Sequence, residues 1–181
     1  MSDSNSFPKS KDGDALAVAR DEFITQWGVI GSSWGINRTM AQIHALLMVS
    51  PRAMTTDEIM EDLKISRGNA HSNLRELSGW GLVRGVIRKG ERKEYFEAEK
   101  DVWKMFCMVG RERRRRELDP ALQVIRNCTQ QTGSLKTAEG KAFHEQLKAL
   151  GDFVQVVDSV LGRVTKMEQS KALPWALKFL K

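Results

Sequence analysis

Between Ser66 and Lys93 the chain reads SRGNAHSNLRELSGWGLVRGVIRKGERK, and the side chains there that can act chemically are donors and cations. Helical spacing gathers Ala70, Leu74 and Leu77 on one stripe behind Ser66, an N-capping residue type. Gly68, His71, Ser72, Arg75 and Gly79 fall opposite that stripe, with Arg67, Asn69 and Glu76 flanking them. A thin polar face of Arg, Asn, His and Ser, with glycine where bulk would obstruct, suits close approach to base edges and phosphates. Seven residues of this stretch are basic (Arg67, Arg75, Arg84, Arg88, Lys89, Arg92, Lys93) and two acidic (Glu76, Glu91), a surplus of +5 in a chain whose formal net charge is +6. A solvated helix and hairpin is the bland alternative, but ordinary surfaces mix the two signs.

The elements that would hold these groups follow from local signals. Gly81 ends the helix as a C′ residue. Leu82 to Arg88 and Lys93 to Glu99 read as two strands, and Gly90-Glu91 fits a two-residue turn with glycine first. Arg88, Lys89, Arg92 and Lys93 then crowd the hairpin tip. Upstream, Thr55 and Glu58 form a capping box, Ile59, Met60 and Leu63 make that helix amphipathic, and Lys64-Ile65 is the short turn before Ser66. Helix, tight turn and helix followed by a basic hairpin is a DNA-binding arrangement whose second helix enters the major groove.

The same residues carry a family resemblance. Ile65 to Asn69, Asn73 to Leu77, Trp80 to Val83 and Gly90 to Tyr95 resemble the GbsR branch of the MarR superfamily of winged helix-turn-helix regulators, as do Trp34-Gly35, Asn37-Arg38, Ala41 to Ile43, Glu58-Ile59, Trp103 and the arginine run ending at Glu117. The likeness covers about half the chain. It implies a repressor-like protein whose operator affinity responds to a small effector, in some relatives a quaternary amine held by aromatic rings. Trp27, Trp34, Trp103 and Phe106 are the candidate ring carriers here, although each reads equally well as core. His71 departs from the pattern, which commonly has a small serine there, so the operator transfers less readily than the fold.

The flanks read as helices. Residues 1–13 are polar and without period, which predicts disorder. From Asp14 the residues Leu16, Ala19, Phe23, Trp27, Ile30 and Trp34 recur at helical steps, a stripe for core or dimer contact. Asn37 caps a second helix, apolar nearly all round and so central, which Pro51 stops. Asp101 to Glu117 predicts a helix with Val102, Trp103, Phe106 and Val109 on one side. Its arginines, Arg111 and Arg113 to Arg116, serve either flanking phosphates or salt bridges with neighbouring acids. Asp119-Pro120 reads as N-cap and N1 of a short helix to about Gln131. From Thr137 to Met167 the residues Phe143, Leu147, Leu150, Val154, Val157, Leu161 and Val164 form three heptads of an a/d seam, which wants a partner helix. The apolar tail LPWALKFLK is expected to dock on the dimer; membrane-surface attachment is the weaker alternative for so short a stretch.

Other chemistry finds little support. His44, His71 and His144 lie on different predicted helices without metal spacing, and neither a phosphate-binding glycine loop nor a nucleophile elbow is present. No enzyme, cofactor or metal site is expected. Cys107 and Cys128 belong to no cysteine motif and read as free thiols, and the chain lacks a membrane-spanning run or signal-peptide core, which predicts a cytoplasmic protein. The expected fold is mainly α: a winged helix-turn-helix with a two-stranded β-wing over 14–99, its first helix also touching a partner, and a helical dimerisation region over 100–181. The DNA-contacting set is Ser66, Arg67, Gly68, Asn69, His71, Ser72, Arg75, Arg88, Lys89, Arg92 and Lys93. Together these predict a homodimeric, sequence-specific regulator on a near-palindromic operator in double-stranded DNA, with a small-molecule effector. The alternatives are a winged-helix protein-interaction module, which would present apolar anchors rather than arginines, and a nonspecific nucleoid-type binder.

Overall fold

The computed structural model describes residues 11–166; the expected polar N-terminus up to residue 10, the Met167 end of the long helix and the apolar tail lie outside them. The chain divides after Lys100 into two compact units.

In the first unit, α1 (Lys11–Ser33) begins three residues before the expected Asp14, with Asp12 and Asp14 in its first turn, where acidic side chains favour the helix dipole. It packs on α2 (Arg38–Val49), capped by Asn37, whose side chain accepts from the backbone N–H of Met40. α2 is the centre of the unit: Met40, Ile43, Leu46 and Leu47 are fully buried. Burial of each such side chain is worth roughly 1.5–3 kcal/mol. The aromatic stripe, expected as core or dimer contact, is not the face of α1 that meets α2. Ile24, Gly28 and Gly31 are buried, while Leu16, Trp27, Ile30 and Trp34 are exposed. A Cβ at Gly28 would lie 2.6 Å from Gln42 Cγ, and one at Gly31 2.6 Å from Ala41 Cβ, so the two helices approach on glycines. A pattern weighted by large apolar residues cannot show such a face.

After α2, β1 (Met54–Thr55) leads into α3 (Thr56–Leu63), where the capping box of Thr55 and Glu58 is present with both of its bonds. Glu58 also accepts from Arg52 at 2.7 Å, and this bond, then the Thr55 N–H, holds its carboxyl down at about 2. α4 (Arg67–Gly79) follows, then β2 (Val83–Ile87) and β3 (Glu94–Ala98). The sheet has three strands in the order β1-β3-β2, not the expected two, with Met54 opposite Phe96 and Thr55 opposite Tyr95. Two residues are too short to show a strand period. Lys100 closes the unit: its Nζ donates to the carbonyls of Leu47, Met48 and Ser50 at 2.7–2.8 Å, satisfying the end of α2 with a cation.

In the second unit, α5 (Val102–Arg113) is capped by Asp101 and runs on through a π-helical turn (Arg114–Leu118) into α6 (Asp119–Thr132). The expected restart at Asp119-Pro120 does not occur. Asp119 is itself helical, and its N–H bonds to the carbonyl of Arg114 five residues back. Pro120 has no N–H for the carbonyl of Arg116 and would clash with it in a regular helix; a widened π turn just before the proline absorbs both effects. α7 (Ala138–Lys166) begins at Thr137, whose hydroxyl accepts from the N–H of Gly140, and packs on α5 and α6. The heptad seam is split. Leu147, Val154 and Leu161 are half-buried on the side of Gly151, where a Cβ would sit 3.1 Å from Ile125 Cγ2, whereas Phe143 and Leu150 are exposed and continue into Phe153, Val156 and Val160. Both cysteines are free.

His44 is buried on α2 with Nε2 lacking a hydrogen-bond partner. Burial, and then the charge of Lys100, lower its pKa from 6.5 to about 4. Between those values the unfolded chain binds a proton that the folded chain does not, so stability falls as the pH is lowered from 6.5 to 4, by about 3 kcal/mol. Glu58 adds its loss only below 4.5. Urea denaturation at pH 7, 5 and 4 should show this decline, and His44→Leu should remove most of it.

Candidate nucleic-acid interface

α3 and α4 are joined by Lys64, in the left-handed conformation (φ 53°), and Ile65, both of whose N–H groups bond to the carbonyl of Met60. The Ser66 hydroxyl accepts from the N–H of Asn69 at 3.3 Å, so α4 starts where its sequence says it should. At the other end the N–H of Gly81 (φ 78°) bonds to the carbonyl of Ser78 and that of Leu82 to the carbonyl of Leu77, a Schellman closure.

Between these caps α4 buries Ala70, Leu74 and Leu77 as expected, together with Asn73. Arg67, Gly68, Asn69, His71, Ser72 and Arg75 are all exposed. Asn73 is a functional candidate that sequence reasoning missed. Its Nδ2 donates to the carbonyl of Asn69 at 2.8 Å and to Asn69 Oδ1 at 2.6 Å, which engages the side-chain oxygen of the exposed Asn69 and not its amide NH2. A polar residue at a core position of an otherwise apolar stripe was the available signal. Gly68 has ordinary helical φ, and a Cβ there would meet nothing within 4 Å. Nothing in the fold requires glycine at 68, although glycine in a helix costs about 1 kcal/mol relative to alanine.

The wing differs from expectation at its tip. The last strand pair is Ile87 with Glu94, leaving six residues, 88–93, outside the ladder. The N–H of Glu91 bonds to the carbonyl of Arg88 at 3.1 Å and Gly90 has φ 85°, so glycine is the third residue of a four-residue turn rather than the first of a two-residue loop. Strand register, set by Val83 opposite Ala98, decides this, and register is not visible in the turn itself.

The fold also redistributes the charge. Arg67 pairs with Asp57 of α3 at 2.5 Å, and Lys93 lies 4.0 Å from the same carboxylate. Arg84 faces Glu97 across the ladder and pairs with it at 2.5 Å. The Arg88 guanidinium lies 4.0 Å over the Tyr95 ring, and the Tyr95 hydroxyl donates to Glu91. Among the described residues Arg75, Lys89 and Arg92 have no such partner. Asp57, Glu97 and Tyr95 were missed because each sits at least seven residues from the cation it meets. Thr55, Thr56, Asp57, Arg67, His71, Lys93 and Glu94 line an open cleft of about 180 Å³ between α3, the start of α4 and the wing.

Outside this surface, the arginine run resolves into ion pairs. Arg113 bonds to Glu117 at 2.8 Å, Arg114 chelates Asp158, and the buried Glu112 accepts from Arg115 and Arg116, which hold its carboxyl below the usual range despite burial. Of the candidate rings, Trp103 stacks on Phe106 with centroids 5.4 Å apart in the second unit, while Trp27 lies against Phe23 in the first and Trp34 is exposed. Among the described residues no group of histidine, cysteine and carboxylate side chains could hold a metal, and no helix is long and apolar enough to cross a membrane.

No family model matches the chain. It is 29% identical over 92 residues to the HTH-type transcriptional repressor GbsR of Bacillus subtilis (strain 168), 51% of each chain, and 25% identical over 94 residues to the putative HTH-type transcriptional regulator YvaV of the same organism, 52% of this chain and 53% of that one. The match thus spans about half the length of these curated relatives. Among solved structures, a crystal structure of a transcriptional regulator superposes with a TM-score of 0.67 at 17% identity, over 84% of this chain and 99% of that one. The fold is a winged helix-turn-helix, and the resemblance to the GbsR branch read from the sequence is borne out by these relatives.

Gly68→Ala should raise the stability of the chain by about 0.4–1 kcal/mol, because its backbone already suits alanine and the space is open. Gly79→Ala, about three turns further along α4, should do the same. Denaturant midpoints measure both; a loss at Gly68 would mean that packing, not an external surface, explains that glycine.

Proposed function

We propose that this chain is a sequence-specific, DNA-binding transcriptional regulator, acting as a homodimeric repressor on a near-palindromic operator and responding to a small effector. The observation that carries this reading is the exposed face of α4, where Arg67, Asn69, His71, Ser72 and Arg75 surround a glycine the fold does not need, beside a wing bearing Lys89 and Arg92. In this reading α4 enters the major groove, with Arg75 and the amide NH2 of Asn69 offered to base edges. The wing cations and Arg67 serve the phosphates. The relatives named repressor and regulator support the same assignment. A protein-docking winged helix would be expected to offer apolar anchors on this face, and α4 presents none there.

Homodimerisation rests on the two apolar faces left open in the protomer. Leu16, Trp27, Ile30 and Trp34 of α1 and Phe143, Leu150, Phe153, Val156 and Val160 of α7 are exposed, and large apolar side chains recurring along one helix are a feature of contact surfaces. The effector reading rests on the Trp103–Phe106 pair, a flat aromatic surface suited to a cationic or planar ligand.

Selection of bound fragments from the organism's genomic DNA tests the function: one enriched near-palindrome is expected, and uniform recovery would indicate a nonspecific binder. With about 6–10 phosphate contacts per dimer, affinity should fall roughly 10³–10⁵-fold between 50 and 200 mM salt. Arg75→Ala should cost about 1–3 kcal/mol on the selected site and relax its sequence preference, while Arg92→Ala weakens all duplexes alike and lowers the salt slope by about one. Gly68→Ala should lose affinity despite its added stability. Equal behaviour of the two arginine variants would show that reading and anchoring are misassigned.

Leu150→Asp with Phe153→Asp places two charges on the open face of α7 without touching the packed one. Burying them unpartnered in an interface costs several kcal/mol. Sedimentation should then show a folded monomer where the wild type is a dimer, with binding to the selected site reduced more than binding to random duplex. A wild-type monomer would remove the dimer from this reading.

A further inference from the structure

We infer that Asp57 sets the ratio of specific to nonspecific DNA binding, by holding Arg67 of the recognition helix and Lys93 of the wing away from phosphates until base contacts form. The inference rests on the DNA-binding reading above and goes beyond it, since an acidic residue belongs to no phosphate-contacting set.

Asp57 lies at the second position of α3, and its carboxylate stands between two elements that approach the duplex. Oδ1 accepts from Arg67 at the first turn of α4 at 2.5 Å, and Oδ2 faces Lys93, the last residue of the wing loop, at 4.0 Å. All three side chains are half exposed or more, so the arrangement contributes little to stability, as exposed ion pairs generally do. Thr55, Thr56, His71 and Glu94 complete the cleft around it. A phosphate entering that cleft meets a like charge and must displace the carboxylate before either cation is released. A loosely docked, nonspecific complex has only phosphate contacts to offset that displacement. An operator complex seats α4 through base contacts made by Arg75 and its neighbours, which presses Arg67 and Lys93 closer to phosphates that can take the carboxylate's place, so the carboxylate costs this complex less free energy than it costs the nonspecific one. Arg67 and Lys93 thereby become conditional contacts, available when the helix is seated, whereas Lys89 and Arg92 are available at any encounter.

The test compares wild type, Asp57→Asn, Asp57→Glu and the double variant Asp57→Asn with Arg67→Ala, each checked by thermal melting, on a mixed-sequence duplex and on the genomic fragment selected as above. Asp57→Asn should bind the mixed duplex more tightly at 50 mM salt with a slope steeper by about one to two units, so that its advantage shrinks about 4–16-fold by 200 mM. The ratio of selected to mixed affinity should fall. Asp57→Glu, which keeps the charge, should stay near wild type, and the double variant should lose about one unit of the added slope. A wild type with ordinary salt dependence beside an Asp57→Asn variant of unchanged slope, or a variant weakened equally on both duplexes, overturns this inference alone. A wild type that binds no duplex at low salt removes the DNA-binding reading and this inference with it.

Discussion

A helix that offers most of its circumference to another molecule can be held only by a narrow stripe and by its ends, and α4 is built under that constraint. Ala70, Leu74 and Leu77 are its whole apolar holding, set against a unit organised on α2. The ends therefore matter more than in a buried helix. Ser66 accepts from one of the open N–H groups at one terminus, and the Gly81–Leu82 closure bonds the carbonyls of Leu77 and Ser78 at the other, so these backbone groups need neither water nor a partner. Lys100 serves the same end one layer down, closing the C-terminus of α2 on which α4 rests. The polar face can then be chosen for chemistry rather than for stability, and the unneeded glycine at 68 is the plainest trace of that freedom.

Charge at the interface is governed by geometry more than by count. The seven cations over 66–93 fall, once folded, into four groups with different availability: Arg75, Lys89 and Arg92 outward, Arg67 and Lys93 shared with Asp57, Arg84 paired across the ladder with Glu97, and Arg88 over the Tyr95 ring. Long-range attraction depends on the total, because at distances near the Debye length individual pairings are blurred. Affinity at contact depends on which cations are released, and that difference separates steering from reading.

The second unit solves a different problem. It must carry one helix past a proline and keep a long amphipathic helix beside it. The π turn at Arg114–Leu118 lets the chain pass Pro120 without a break, and it gathers the arginine run where Glu112, Glu117 and Asp158 can meet it. α7 has apolar residues over most of its girth, so packing within the protomer uses one side and leaves Leu150, Phe153 and Val160 on the other. Small residues mark the used side, as they do where α1 meets α2 at Gly28 and Gly31.

Signals closed within a few residues were legible in the sequence. The caps at Asn37, Thr55 with Glu58, Ser66 and Gly81 were readable because each side chain or glycine acts on its own turn, and the polar face of α4 followed from a period that any helix obeys. Local sequence therefore determines the helix-turn-helix and the two strands of the wing, but not the turn that joins those strands. Only the folded chain decided which face of α1 packs, since close approach favours the absence of a side chain over a large apolar one. It also decided that Met54-Thr55 becomes a strand, because a two-residue ladder exists only once Tyr95 and Phe96 lie beside it. The same holds for Asp57: ten residues from Arg67 and thirty-six from Lys93 along the chain, it belongs to the interface only because α3 brings it there. Electrostatic pairing acts through space, and a sequence records only separation along the chain.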